Sequence, residues 1–272
     1  MIIAQLSDPH LVAEGTIQQR IDPRTKLSAA IDSLLKVDPL PDIVLLTGDL
    51  AQLGKPEGYA KARELLARLP MPVYVIPGNQ DNRQNMREAF AQDGYLPKDG
   101  EFLHYVIEDH ELRLIGVDST RPGGPGGGGL LCEERLSWLE ERLCEAPDRP
   151  TLIFMHHPPF RTGLGKLDKE PMPGGDAMAE IVAQHPQVKK VLAGHIHRYT
   201  ERVWAGTAAA TAPAIAFQVT LTFDRGASAT WHEEPAPILF HLWHDEEEII
   251  THSLAVGDYE GPFEIVRQRG AK

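Results

Sequence analysis

Cysteine is scarce, basic residues are outnumbered, and long apolar runs are missing from this sequence of 272 residues. Its two cysteines, Cys132 and Cys144, fall on one predicted helix, where twelve steps of ~1.5 Å separate them by ~18 Å. That distance excludes a bond between them. Neither forms a C-x-x-C pair, so a thiolate zinc site and a dithiol redox motif are set aside as well. No stretch of about 18 apolar residues is present, which argues against a membrane-spanning helix. From Met1 the chain runs straight into an apolar strand, without the basic stretch and small-residue cleavage site of a signal peptide. The expectation is a cytoplasmic protein with no membrane partner.

Lys and Arg number 27 against 39 Asp and Glu, a formal net charge of -12. A long nucleic acid needs a basic face that exchanges with phosphate counterions, so this composition speaks against such a partner while leaving small phosphate esters open. Bound divalent cations would offset part of the negative charge.

What is present is an alternation of short apolar runs and amphipathic stretches. IIAQL (2–6), a helix over 24–36, IVLL (43–46), a helix over 58–69 and VYVI (73–76) give a β-α-β-α-β order, which implies parallel strands joined by crossover helices. A helix over 83–91 precedes a hairpin formed by 103–107 and 112–117. After the Gly/Pro-rich loop 121–129, a helix over 133–145 and a strand at 151–155 resume the alternation. An irregular stretch at 161–175 leads to a helix over 176–185 and a strand at 188–193. Residues 198–237 break the pattern and suggest a small β cap or dimerisation insertion within one domain spanning 1–272. Strands at 238–243 and 249–254 close the order. The segment TAAATAPAIAFQVTLTF (207–223) holds no charged residue, which predicts self-association, at least as a dimer.

Five segments place metal-type ligands directly after predicted strands. They are Asp8 and His10 in SDPH, Asp49 in TGDL, Asn79 in PGNQD, His156 in FMHHPP, and His195 and His197 in AGHIH. One Asp after a strand is commonly just a helix cap. Five such strand ends on one edge of a parallel sheet are where open α/β folds keep their sites. Carboxylate, amide and imidazole together suit Fe, Mn or Zn, and two ions ~3.5–4 Å apart need a bridging carboxylate, for which Asp49 is the natural choice. His157 is expected to be structural, because neighbours on a strand point to opposite faces. His104, His241 and His252 are read as structural strand residues. Arg121, Arg161 and Lys166 are loop charges, solvated unless a substrate meets them, and Trp204 and Phe217 line a substrate wall, a dimer contact or the aromatic core.

The ordered set D-x-H, G-D, G-N, H and G-H-x-H resembles the calcineurin-like metallophosphoesterases. Within them the chain looks most like the class III cyclic-nucleotide phosphodiesterases and bacterial glycerophosphodiesterases, from Met1 through FMHHPP and AGHIH to THSLAVGDYEGPF. The resemblance implies an α/β fold in which two β-sheets pack as a sandwich flanked by helices. It implies one metal held by Asp8, His10, Asp49 and His197, and a second held by Asp49, Asn79, His156 and His195. The implied reaction is hydrolysis of a small phosphodiester by a metal-bound hydroxide, with Asp49, Asn79 and Gln80 catalytic and Asn79, Gln80 and His197 facing substrate. The family writes G-N-H-D/E where this chain has Gly78, Asn79, Gln80, Asp81, so a group placed near the phosphate is replaced. A phosphomonoesterase or nucleotide pyrophosphatase of the same fold, and a metal-binding scaffold with impaired catalysis, are the alternatives.

Overall fold

In the computed structural model, which describes residues 1–122, 127–165, 167–168, 172–244, 248–261 and 263–265, the apolar runs become strands of two sheets. The first sheet has the order β13-β12-β1-β2-β3, formed by Glu248–Ala255, Pro237–His244, Ile2–Leu6, Ile43–Leu46 and Val73–Val75. β1, β2 and β3 run parallel, and β12 joins β1 antiparallel. The second sheet has the order β4-β5-β6-β7-β9-β8, formed by Tyr105–Ile107, Arg113–Val117, Thr151–Met155, Val188–Ala193, Thr207–Thr211 and Thr200–Trp204. Here β5, β6, β7 and β9 are parallel.

The period-2 alternation of the second sheet sets the layers. Leu114, Leu152, Leu192 and Ala210 pack into the same cluster as Ile3, Leu6, Val44 and Leu46 of the first sheet. Their neighbours Ile115, Ile153, Val191 and Ala209 face the other way, onto Leu139, Leu143, Met178 and Val182 of α4 (Glu133–Glu145) and α5 (Gly175–Ala183). Helix α1 (Pro23–Leu34) begins where Asp22 accepts the Arg24 N–H and Pro23 occupies the first turn. It buries Leu27, Ala30, Ile31 and Leu34, the spacing of one helical face. α2 (Pro56–Leu66) buries Tyr59, Ala62 and Leu66 against the same cluster. The remaining helix, α3 (Arg83–Ala89), is capped by Asn82, which accepts the Asn85 N–H at 3.0 Å.

The segment read as a cap divides in two. Residues 200–211 form β8 and β9 of the main sheet, β9 pairing parallel with β7 from Lys190↔Ala208 to Ala193↔Thr211. Only the short β10 (Gln218–Val219) and β11 (Trp231–His232) form a separate hairpin. The uncharged stretch therefore does not lie open as a patch: residues 209–216 are buried in their own chain. Tyr199, Val203, Leu221 and Phe223 are the large apolar side chains exposed in this region among the described residues. No described helix is long and apolar enough to cross a membrane.

One buried ion cluster ties α3 and α4 to the strand ends. Asp118 accepts from Arg83 Nε at 2.6 Å, while the wholly buried Arg135 lies 4.0 Å from its Oδ1 and donates to the Asp118 and Thr120 carbonyls. Burial raises the Asp118 carboxyl pKa. The Arg83 hydrogen bond and charge, with the Leu103 N–H and Thr120, outweigh that and hold it below its ordinary 3.8. A depressed carboxyl contributes stability that is complete above the unfolded pKa and lost as pH falls through the folded one. Asp118→Asn should therefore cost about 3–5 kcal/mol by leaving two guanidinium groups without their carboxylate. Urea unfolding at pH 7 and pH 3 checks this: the gap between the two proteins should shrink at the lower pH, and an unchanged gap refutes it.

Candidate metal centre

The carboxyl ends of β1, β2 and β3 in one sheet, and of β6 and β7 in the other, meet at one edge. There the chain turns sharply. Asp8, His10, Asp49, His195 and His197 all take positive φ, between 51° and 72°. Gly78 allows a close approach, since a Cβ at that position would sit 2.2 Å from Asp49 Oδ1. Gly48 combines φ +94° with a Cβ direction blocked at 2.4 Å by His156 Nδ1.

The ring nitrogens are sorted by what binds their far side. Nδ1 of His10 meets Gln52 Oε1 at 2.9 Å, Nδ1 of His156 meets the Thr47 carbonyl at 2.7 Å, and Nδ1 of His197 meets the Phe217 carbonyl at 3.0 Å. A carbonyl oxygen only accepts, so each Nδ1 carries the proton and each Nε2 offers a lone pair inward, the arrangement of metal-ligating histidines. These lone pairs converge. His10 Nε2 and His197 Nε2 are 3.3 Å apart, and His197 Nε2 is 3.2 Å from Asp8 Oδ1. His156 Nε2 is 3.1 Å from Asn79 Oδ1 and 3.5 Å from Asp49 Oδ1, while Asp49 Oδ2 turns to His10 Nε2 at 3.7 Å. Asp49 thus presents one oxygen to each half of the group. Asp8 is divided as well. Its Oδ2 accepts from Ser7 Oγ and the His195 N–H, whereas its buried Oδ1 has no hydrogen-bond partner. Acceptors facing acceptors at these distances suit a cation between them, and carboxylate, amide and imidazole together are donors for a divalent metal.

The charges point the same way. Burial raises both carboxyl groups, but His197, His156 and His10 together hold Asp8 well below the usual carboxylate range. For Asp49 burial prevails over His156, with Asp8 and Asp81 adding to it, and pushes the carboxyl up to about 7. A divalent cation would take the place of the proton that Asp49 otherwise keeps. Burial also drives His10 and His195 down to about 3, keeping them neutral and able to ligate.

The structure brings Asp8, His10, Asp49, Asn79, His156, His195 and His197 to one place. Gln80 is beside them, its backbone N–H donating to Asp49 Oδ1 at 2.7 Å and its side-chain Oε1 accepting from Gln52 Nε2 at 3.1 Å. Gln52 had no motif to announce it, yet it positions both His10 and Gln80. Asp81 was also passed over. It accepts from the backbone of Leu50, Ala51 and Gly78 and from Tyr59 Oη, and so binds the TGDL turn to the PGNQD turn.

His157 does not turn away from the site as strand alternation predicts. β6 ends at Met155, and beyond it the His157 ring lies 4.5 Å from the His195 ring. Its Nδ1 meets Ser119 Oγ at 2.9 Å, and its Nε2 is buried without a partner. With Arg121, Arg161 and His195 it lines a cavity of about 390 Å³. Lys166 lies outside the described residues. Phe217 packs 4.5 Å from the His197 ring and Trp204 lies against Phe160, while His104 stacks on Trp138 at 4.1 Å, away from the ligand group.

Imidazoles and carboxylates gathered at the strand ends of two sheets form a candidate metal site. Residues 1–199 match the calcineurin-like phosphoesterase family, and the chain belongs to that family. It is 34% identical over 272 residues to a probable glycerophosphodiester phosphodiesterase, GpdQ, of Arcobacter nitrofigilis, covering 99% of this chain and 98% of that one. A probable cyclic nucleotide phosphodiesterase of Rhodopseudomonas palustris is 33% identical over 259 residues, covering 94% and 93%. The 3',5'-cyclic adenosine monophosphate phosphodiesterase CpdA of Haemophilus influenzae is 30% identical over 217 residues, covering 79% and 77%. Among solved structures the fold is shared with a dimetal phosphatase from Danio rerio, at TM-score 0.62 and 14% identity, covering 94% of this chain and 99% of that one.

Proposed function

We propose that the chain hydrolyses small phosphodiesters, of the glycerophosphodiester or cyclic nucleotide kind, with two divalent cations at this centre. The observation that carries the reading is the set of acceptors turned on one another, above all the orphaned Asp8 Oδ1. Asp8, His10, Asp49 and His197 would hold one cation, and Asp49, Asn79, His156 and His195 the other. Bound there, the pair supplies Lewis-acid polarisation of the phosphoryl oxygens and lowers the pKa of a coordinated water.

The chain's own groups do the rest. Gln52 Nε2 donates to Gln80 Oε1, so the Gln80 side chain is fixed with its NH2 as the free end, a neutral donor for a phosphate oxygen. Gln80 has no proton to give a departing alkoxide. Arg121 and Arg161 line the cavity next to His195, from which they would contact the alcohol part of the substrate. One relative matched over nearly the full chain carries the glycerophosphodiester name and another the cyclic nucleotide name, which supports both substrate kinds.

The test is a Mn²⁺-loaded assay on a glycerophosphodiester, cyclic AMP, a nitrophenyl diester and the matching nitrophenyl monoester. Diester turnover above monoester turnover is expected. A preference for the monoester would replace this reading with a phosphomonoesterase, and bound metal without turnover would leave a scaffold.

A further inference from the structure

A line of buried polar groups between the two sheets ends on Asp8 and is used by nothing described so far. It begins at Lys190 of β7, whose side chain is 3% exposed and whose Nζ donates to Glu201 Oε2 at 2.8 Å and to Thr251 Oγ1 at 2.6 Å. Thr251 Oγ1 is 2.9 Å from Nδ1 of His241, the residue opposite it in the β12–β13 register. His241 Nε2 is 3.1 Å from Gln5 Oε1, and Gln5 Nε2 donates to Thr47 Oγ1 at 3.1 Å and to the Ala193 carbonyl at 3.0 Å. Thr47 Oγ1 donates to Ser7 Oγ at 2.8 Å, and Ser7 Oγ donates to Asp8 Oδ2.

Both ends fix the direction of this line. An ammonium group only donates and an ionised carboxylate only accepts. Thr251 Oγ1 therefore receives from Lys190, and the Ala193 carbonyl, which also only accepts, holds the Gln5 NH2 and turns Gln5 Oε1 toward His241 Nε2. His241 is then the Nε2–H tautomer, Gln5 has its oxygen toward His241 and its NH2 toward Thr47, and Ser7 is left as a donor. No acceptor faces an acceptor along the line, and the other acceptors in reach are longer, the Leu6 carbonyl at 3.3 Å from Thr47 Oγ1 and the Thr47 carbonyl at 3.2 Å from Ser7 Oγ. His241, wholly buried, is driven down to about 3 by burial and by Lys190, so it stays neutral as the line requires.

We propose that Lys190, Thr251, His241, Gln5, Thr47 and Ser7 act as positioning residues for the metal centre, by holding the Ser7 proton on Asp8 Oδ2 so that Oδ1 alone faces the cation. The inference rests on the metal-binding reading of Asp8. The packing agrees with it: a Cβ on Gly194 would meet Ser7 Oγ at 2.1 Å and Asp8 Oδ2 at 2.8 Å, so the backbone closes over this last link. The line crosses from the second sheet to the outer two strands of the first before reaching β1, so it joins elements far apart in the chain.

Thr251 is the link to test, since Thr251→Val keeps its shape and removes the hydroxyl, whereas Thr251→Ser keeps the hydroxyl. Mn²⁺ binding to metal-free protein is followed by calorimetry. Thr251→Val should weaken it by ~10-fold, the lower end of what removing an outer partner of a metal ligand costs, and Thr251→Ser should leave it unchanged. In wild type, a ¹⁵N–¹H correlation of the His241 ring should show the Nε2–H tautomer. Wild type that binds Mn²⁺ while Thr251→Val binds it equally well overturns the positioning role and leaves the proposed function standing. The Nδ1–H tautomer overturns it as well, even where the variant fails to fold. Wild type that takes up no Mn²⁺ removes the metal reading of Asp8, and this inference with it.

Discussion

Asp49→Ala should lose more than ~10³-fold of diester turnover, beyond the ~10²–10³ that a single transition-state donor is worth, and should release cation from both sites rather than one. The reason is the split of its carboxylate. Oδ1 faces His156 Nε2 at 3.5 Å and Oδ2 faces His10 Nε2 at 3.7 Å, so truncation removes an oxygen from each half of the ligand group. It also removes the acceptor of the Gln80 N–H. Asp49→Asn restores that acceptor without the second anionic oxygen, which separates a tether effect from a ligand effect. Metal content after dialysis, measured beside turnover, decides the matter. Full metal retention in both variants would remove Asp49 from the bridging position.

Gln80→His should raise turnover of an alkyl diester by ~10²–10⁴-fold, the usual worth of a positioned acid, and change a nitrophenyl diester little. Nitrophenolate leaves unaided, whereas a ribose or glycerol alkoxide needs a proton. A histidine at this position can accept from Gln52 Nε2 through one ring nitrogen, as Gln80 Oε1 now does. Its other nitrogen would then carry the N–H toward the substrate. Equal gains on the two substrates, or none on either, would show that position 80 is not the leaving-group acid.

The ligand residues were readable in the sequence because each stands directly behind an apolar strand, and strand ends in a parallel sheet share an edge. The groups that aim the ligands were not. Ser7, Thr47 and Gln52 are single polar residues in turns, with no spacing that separates them from ordinary turn chemistry. His241 meets Gln5 across 236 positions of the chain, so nothing local marks it. The alternation argument does not place the His157 ring, because alternation holds only within a strand and β6 ends at Met155. Residues 207–211 carry little local strand signal because three of the five residues in TAAAT are Ala, which strands disfavour. Their place in the sheet comes from parallel pairing with β7, a tertiary contact.

The origin of the seven convergent side chains has its own consequence for assembly. The first sheet contributes both carboxylates, the amide and one imidazole, and the second contributes three imidazoles. Neither half of the polypeptide could recruit a cation with the affinity of the pair, so tight capture has to wait until the halves have docked. Once captured, the ion is a rivet through a sandwich seam: it resists shear between the layers and raises the barrier to their separation. Heating or proteolysis of stripped and loaded protein should then differ most along that seam, at the turns following β1, β2, β6 and β7, and least at the edge strand β13.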